Sequence, residues 1–515
     1  MKIKVKDLEK SPRKNLFLLG LSLIVGLIAG FLASMYRLAL QEAEILGRFL
    51  YGKVVAQPFL IFLLIPSLIL LAWIVYLFAK KWPMSAGSGI PQVKGQLQGY
   101  FKPNWLTTAF AKFIAGALAM FAGLSLGREG PSVQLGASMG QAIGEKFAET
   151  ERHRRILIAA GASAGLTAAF NAPLSGVMFT LEELFKYFSP LILLTCMTSA
   201  VVSDAVSRFI FGEGAVFHFT VTGSIALKDY WILVVLGLVL GAFGAFYNWT
   251  LLSGQRWMKK IPSPFVRILI SFASAGVLGL VFPLVIGSGH SLIDSMTLSW
   301  GLGFLLLVFV VKFFISMISY VSGVPGGIFF PLLVLGASLG AVFASVCIDF
   351  LHLPEQFFAN IVILAMAGAF TAIVRAPMTG ILLLVEMTGS FDHLLPLALV
   401  SLVAYVMAVL LNSEPIYDSL LNNMLAEKSP DSAETNAEMF FESIVQYDSK
   451  ADGSLLSDLG LAEDCLLVSI HRAGKNLIPR GKTRLMAGDY LTFLIKRQDE
   501  VAAREEIGKI LSEKR

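Results

Sequence analysis

A lone carboxylate sits inside a short glycine- and proline-flanked segment, Gly127-Arg128-Glu129-Gly130-Pro131. Two related segments are Gly87-Ser88-Gly89-Ile90-Pro91 and Gly326-Gly327-Ile328-Phe329-Phe330-Pro331. Each puts glycine, then proline, ahead of an apolar stretch. Glycine permits close backbone approach, and proline suits the first turn of a helix. Such segments read as helix starts, whose unpaired N–H groups and dipole favour negative charge. Several starts converging on one point would hold an anion without a fixed cation that would bind it too tightly to release. Ser88 and Tyr417, the latter in Glu414-Pro415-Ile416-Tyr417, would each add a hydroxyl donor. A carboxylate in an apolar segment is costly and marks function by default. Glu129 could take an anion's place when charged and leave it when protonated. The competing expectations are Gly/Pro kinks between packed helices and a salt bridge from Glu129 to Arg128 or Lys112.

Further ionisable groups stand nearby in sequence. Glu182 and Glu183 end the apolar run 174–181. They suit either a proton relay or the aqueous end of a helix. Lys112 and Lys312 could bias the field toward anions or snorkel to an interface. Arg375, where the other half has Asn171, has no evident role in the sequence.

These groups need elements that can hold them. The 515 residues are 56% hydrophobic and 15% charged, with a formal net charge of +5. The mean hydropathy is +0.72. Soluble domains carry about 25% charged residues, so a bilayer is the expected solvent. The three cysteines, Cys196, Cys347 and Cys465, lie far apart, and no disulfide is expected. A basic N-terminus (Lys2, Lys4, Lys6, Lys10, Arg13, Lys14) precedes the apolar run 16–40. That run is long enough for a spanning helix of about 20 residues, with its basic flank in the cytoplasm. Arg256, Lys259, Lys260 and Arg267 form a second basic loop assigned to the same side.

Many apolar runs are short or broken by Gly and Pro, which at membrane depth requires burial or a cavity. Broken spans at matching positions of two halves point to a transport site. The halves are visible at an offset of 200 residues. Pro83, Gly87-Ser88-Gly89, Lys112-Phe113, Gly123, Gly127, Pro131 and Gly136-Ala137-Ser138 answer Pro283, Gly287-Ser288-Gly289, Lys312-Phe313, Gly323, Gly327, Pro331 and Gly336-Ala337-Ser338. The offset then becomes 204, with Ala172-Pro173 answering Ala376-Pro377 and Glu182 answering Glu386. The transport part is assigned to 1–425, with repeat halves at about 15–210 and 225–425. A polar linker covers 426–438 and a soluble domain 439–515.

In order and spacing, the three motifs resemble the CLC family of chloride channels and chloride/proton antiporters. The resemblance covers about residues 15–425. It implies an all-α polytopic membrane fold with two inverted repeats and broken helices. It implies a homodimer with one ion pathway per subunit. It further implies that Ser88, Tyr417 and the N–H groups of Ile328 and Phe329 bind the central chloride, with Gly130 beside them. Glu129 falls on the external gating and proton-transfer glutamate, and Glu183 on the internal one. Ser88 matches chloride-selective members, where nitrate-preferring relatives tend to have proline. The fluoride-exporting branch departs at Gly-Arg-Glu-Gly-Pro and at the tyrosine, and this sequence does not. Glu183 favours an antiporter over a passive, voltage- or ligand-regulated channel.

In the tail, 466–470 and 490–495 read as strands and Arg472-Ala473-Gly474-Lys475-Asn476 as a hairpin turn. The stretch 499–510 reads as a helix. This small α+β domain resembles the TrkA-C, or C-terminal RCK, domain of prokaryotic transporters and not paired CBS domains. That points to a bacterium or archaeon, with a multi-pass protein in its cell membrane and both termini cytoplasmic. Such a domain pairs and can take a regulatory ligand, in some relatives a cyclic dinucleotide. Arg472 could meet a phosphate and Ile478-Pro479 a base. A dimerisation module without ligand is the alternative. No nucleophile–base pair, metal cluster or phosphate loop suggests an enzyme, and the six histidines are scattered. No cofactor and no nucleic-acid partner are expected.

Overall fold

Proline and glycine set the helix boundaries of the long apolar part. A computed structural model describes residues 12–186, 188–214, 225–391, 393–427, 438–461, 465–472, 475–496 and 500–512. The chain divides into two units, 1–424 and 425–515. The basic residues Lys2 to Lys10, most of the linker, and Ala473-Gly474 of the tail hairpin lie outside the described residues.

The first unit is helical: α1 (Pro12–Ala56), α2 (Ile61–Lys81), α3 (Ile90–Gln98), α4 (Trp105–Phe121), α5 (Glu129–Phe147), α6 (Glu151–Phe170), α7 (Pro173–Phe179), α8 (Pro190–Phe211), α9 (Tyr230–Lys259), α10 (Pro264–Val281), α11 (His290–Ser295), α12 (Gly301–Val321), α13 (Phe329–Leu351), α14 (Phe358–Val374), α15 (Pro377–Thr388), α16 (Leu394–Leu410) and α17 (Ile416–Glu427). Each of α1 to α8 has its counterpart eight elements later. The 200-residue offset is therefore a repeat of whole elements. Among the described residues, eight helices are long and apolar enough to cross a membrane. The most apolar window of α14 is 83% buried and that of α13 is 72%, against 17% for α2. So α13 and α14 sit at the centre, while α2 turns Phe62 and Leu63 outward toward lipid.

Backbone bonds tie the two halves at the breaks. Gly127 and Gly327 exchange N–H···O bonds of 2.7 and 2.8 Å. Gly326 N donates to Gly87 O at 3.0 Å, and Gly287 N to Gly123 O at 2.9 Å. These non-helical stretches satisfy one another inside the protein, as irregular backbone in a bilayer must.

The halves also cap each other through side chains. Glu182 accepts from Met378 N (3.2 Å), Thr379 N (2.8 Å) and Thr379 Oγ1 (2.8 Å) at the start of α15. Glu386 accepts from Leu174 N (2.9 Å), Ser175 N (2.8 Å) and Ser175 Oγ (2.5 Å) at the start of α7. Each carboxylate satisfies the open N–H groups of the other half's helix. We predict that Glu386→Ala lowers stability by about 2 kcal/mol or more, because several donors lose a charged acceptor. Thermal unfolding in detergent measures this, and an unchanged midpoint would count against the cap.

Some local expectations are revised. Helix α1 runs past residue 40 to Ala56. Its polar extension is anchored, because Arg48 donates to Pro283 O and Ile286 O, both at 2.8 Å. Lys112 and Lys312 do not snorkel. Both are fully buried. Lys112 donates to Gly87 O at 2.8 Å, and Lys312 to Val285 O at 2.9 Å and Gly287 O at 3.0 Å. Asn171 and Arg375 end α6 and α14 at φ 53° and 71°. The left-handed turn is shared, and Arg375 then donates to Tyr405 O (2.9 Å) and Ser413 O (2.8 Å). In the second basic loop, Arg267 donates to Ile261 O at 2.7 Å and Lys259 O at 3.1 Å, closing the end of α9.

The second unit holds an antiparallel sheet in the order β1-β4-β2-β3. Its strands are β1 (Glu438–Ile444), β2 (Cys465–Arg472), β3 (Lys475–Leu477) and β4 (Tyr490–Lys496). The helix α18 (Glu500–Ser512) follows. Ala503, Ile507 and Leu511, spaced by four, bury against Phe441, Leu491, Phe493 and Ile495. Arg472 pairs with Lys475 across the hairpin. Burial pushes the half-buried Cys465 thiol up to about 11, so it stays neutral near pH 7.

Candidate anion and proton site

Four chain segments converge, three of them at the helix starts that the sequence motifs predict. At the first, Gly89 has φ 101°, and α3 begins at the next residue. A side chain at Gly89 would stand 2.8 Å from Gly130 O, so the close approach requires glycine. A Cβ on Gly130 would in turn lie 2.5 Å from Ser88 Oγ. Ser88 therefore faces the first turn of α5. The Gly127–Gly327 pairing brings the start of α13 alongside. The fourth segment is α17, which places Tyr417 in its first turn behind Pro415. In the sequence Tyr417 looks isolated, and its place on a helix start was missed.

Aromatic rings close the locus. Phe179 lies 6.3 Å from Tyr417 and 5.8 Å from Phe329, ring centre to ring centre. Phe329 also meets Phe170 at 5.2 Å and Phe370 at 4.7 Å. Ser88, Glu129, Gly130, Ile328, Phe329 and Tyr417 are all buried. Ser88 Oγ, Tyr417 Oη and both Glu129 oxygens lack a hydrogen-bond partner. Buried polar atoms in this state are uncommon and call for an explanation. Two hydroxyl donors beside helix starts are what a desolvated anion needs.

Glu129 faces its own N–H and that of Phe330 without reaching hydrogen-bond geometry with either. Its nearest cation, Arg128, is loose, with Nε 3.7 Å from Oε1. The Arg128 Nη2 instead meets His290 Nε2 at 3.0 Å, and His290 stacks on Phe330 at 4.0 Å. Lys112 is committed to Gly87 O. Neither cation locks the carboxylate in place.

The two adjacent glutamates divide the work. Glu182 is the cap of α15 described above. Glu183, one residue on, is buried in a π-helical turn over Thr180–Phe185. There it accepts from Lys94 Nζ at 2.7 Å. Lys94 also pairs with Asp418, and Asp418 with Lys186. Side-chain exposure is 2% at Glu183, 1% at Lys94, 27% at Asp418 and 47% at Lys186. Four charges, two of each sign, thus run from a buried carboxylate to the surface. Lys94 belongs to the helix that Ser88 precedes, and Asp418 follows Tyr417 directly. Sequence reasoning missed Lys94 and Asp418. The signal was a lysine five residues beyond Gly89 and an acid beside the tyrosine.

In the tail, Arg472 is engaged within its own domain. Its Nε and Nη2 donate to the two oxygens of buried Asp489 at 2.7 and 2.6 Å, and Nη2 to Arg484 O at 2.6 Å. That ion pair uses the face a phosphate would need. Ile478 is 80% exposed and Pro479 partly so.

Both units of the chain are similar to known proteins. Residues 68–409 match the family model described as voltage gated chloride channel, and residues 440–508 match the TrkA-C domain. The H(+)/Cl(-) exchange transporter ClcA of Vibrio cholerae serotype O1 is 37% identical over 434 residues, covering 81% of this chain and 91% of that protein. The protein of the same name from Salmonella typhimurium is 31% identical, covering 84% and 94%. Among solved structures, a slow cyanobacterial Cl-/H+ antiporter aligns with a TM-score of 0.74 at 31% identity. That alignment covers 80% of this chain and 98% of the antiporter.

Proposed function

This chain belongs to the CLC family of chloride channels and antiporters, and on that premise we propose that it exchanges chloride for protons through the site at Ser88, Tyr417 and Glu129. One observation carries the reading: two buried hydroxyl donors and a buried, unbonded carboxylate share one locus among helix starts. Chloride accepts from Ser88, Tyr417 and the N–H groups of Ile328 and Phe329, with Gly130 keeping the approach open. Charged, Glu129 competes with the anion for the same positive field. Protonated, it loses that attraction and yields. One group thus serves as gate and as outer proton carrier.

The inner proton passes by Glu183. The ion-paired run Lys186–Asp418–Lys94–Glu183 supports this reading, because it connects the solvent-facing groups to the buried carboxylate. Named exchangers among the relatives and the acid at Glu183 favour antiport over a passive, regulated channel on the same fold. The reading makes the chain a transporter and not an enzyme. It has two copies forming a homodimer, each with its own pathway, in the cell membrane with both termini cytoplasmic. The tail is then a pairing and regulatory module. A cyclic dinucleotide or similar ligand would meet exposed Ile478 and Pro479 rather than Arg472.

The test is flux in proteoliposomes containing the full chain. We expect an imposed chloride gradient to drive protons against their own gradient. Chloride movement with no uphill protons would make the protein a channel.

A further inference from the structure

The repeat gives the molecule a second Gly-Ser-Gly turn, and that turn is treated differently. Each turn is held by the lysine at the matching position, Lys112 on Gly87 O and Lys312 on Gly287 O. At the first turn, Ser88 Oγ has no partner in the protein. At the second, Ser288 Oγ and Ser288 N both donate to Glu44 Oε2, at 2.8 and 3.3 Å. Glu44 comes from the polar end of α1. Its other oxygen, Oε1, accepts from Arg48 Nη2 at 3.0 Å and Nε at 3.3 Å. Lys312 lies within electrostatic reach of both Glu44 and Arg48. A side chain at Gly287 would collide with the Glu44 carboxylate, so the carboxylate rests directly on the turn.

We propose that Ser288, Arg48 and Lys312 form a second anion-binding cradle, suited to a small monovalent anion such as a halide, and that Glu44 fills it as a tethered anion. A hydroxyl, an amide and the Arg48 guanidinium donate to one negative group, and the Lys312 ammonium, itself bonded to Val285 O and Gly287 O, adds positive field beside it. Ser288 is 7% exposed and Lys312 fully buried, so this is a built site and not a surface patch. Two other titratable residues stand nearby: Arg128, which feels Glu44, and His290, whose backbone N–H donates to Ser288 Oγ at 3.5 Å. Removing the carboxylate leaves Arg48 and Lys312 without their counter-charge, a costly state in a low-dielectric setting. The side chains of Glu44 and Arg48 are 16% and 26% exposed, so a small ion reaches the cradle without unfolding. The tether thus keeps the second half from taking up substrate anion. The inference rests on the Glu44 contacts and does not require proton coupling.

The experiment uses the full chain crystallised in bromide, located by anomalous scattering. We expect no bromide at Ser288 in the native protein and one additional bromide there in Glu44→Ala. Adding Ser288→Ala should abolish it. In parallel, thermal unfolding of Glu44→Ala should rise more steeply with bromide over gluconate than that of the native chain. Glu44→Ser, which shortens the side chain and so empties the cradle while keeping a polar group on α1, serves in both measurements should Glu44→Ala fail to fold. Absence of bromide at Ser288, together with native-like halide dependence, would overturn the proposal. Bromide at Ser88 in the same crystals reads the central site separately, so the failure of one is not the failure of the other.

Discussion

Glu129→Gln should leave chloride moving and abolish uphill proton flux. Glutamine matches the carboxylate in size, so the start of α5 keeps its packing. It carries no charge to compete for the anion position and no proton to release. The interactions lost are therefore those with the helix-start N–H groups and the loose Arg128, 3.7 Å away. Helix-terminal charge effects are worth about 0.3–1 kcal/mol, and up to about 2 when partly buried, so folding survives. On the proposed mechanism the whole coupling is at stake, because one titratable group would serve both as gate and as carrier. Chloride efflux by electrode and proton movement by pH electrode, in the same vesicles, separate the two. Protons still driven uphill by the variant would remove Glu129 from the carrier role.

The second large effect is expected at Lys94, which sequence reasoning passed over. Lys94→Met removes the cation from a buried pair with Glu183 while Asp418 keeps Lys186. Breaking one side of a buried ion pair costs about 3–5 kcal/mol, because the remaining charge is stranded. We expect a marked fall in the unfolding midpoint and loss of proton coupling. The double variant Lys94→Met/Glu183→Gln strands no charge and should recover most of the stability while staying uncoupled. A single variant as stable as the native chain would mean that Glu183 is not held as a charged partner.

The scaffold was largely legible in the sequence, and its details less so. Gly-Pro breaks and the 200-residue offset disclosed the halves because helix starts and tight turns constrain residue type strongly. The same rules located Ser88, Glu129 and the Ile328-Phe329 turn. Tyr417 was found without its helix, since a two-residue signal, Pro415 and a short run, is weak. Glu182 and Glu183 could not be told apart, because their different fates depend on a π-helical turn that rotates one toward α15 and the other inward. Lys94 and Asp418 lie 324 residues apart, and no local pattern announces a contact of that range. In the tail, two strands and the helix follow from alternation and amphipathicity. The turn residue Arg472 proved to be internally paired, because its partner Asp489 is distant in sequence and near only across the sheet.

The reciprocal caps and glycine bridges have a consequence for how the chain is made. The first half emerges from the ribosome with the N–H groups of α7 awaiting Glu386 and the Gly123 carbonyl awaiting the Gly287 N–H. About 200 further residues, at about 5–20 per second, take roughly 10–40 s. Through that interval the first half sits in the bilayer with open donors that only its sibling can close. The protein therefore completes itself late, when the second half arrives. A ribosome that stops at the midpoint leaves behind an unfinished object, not a smaller transporter.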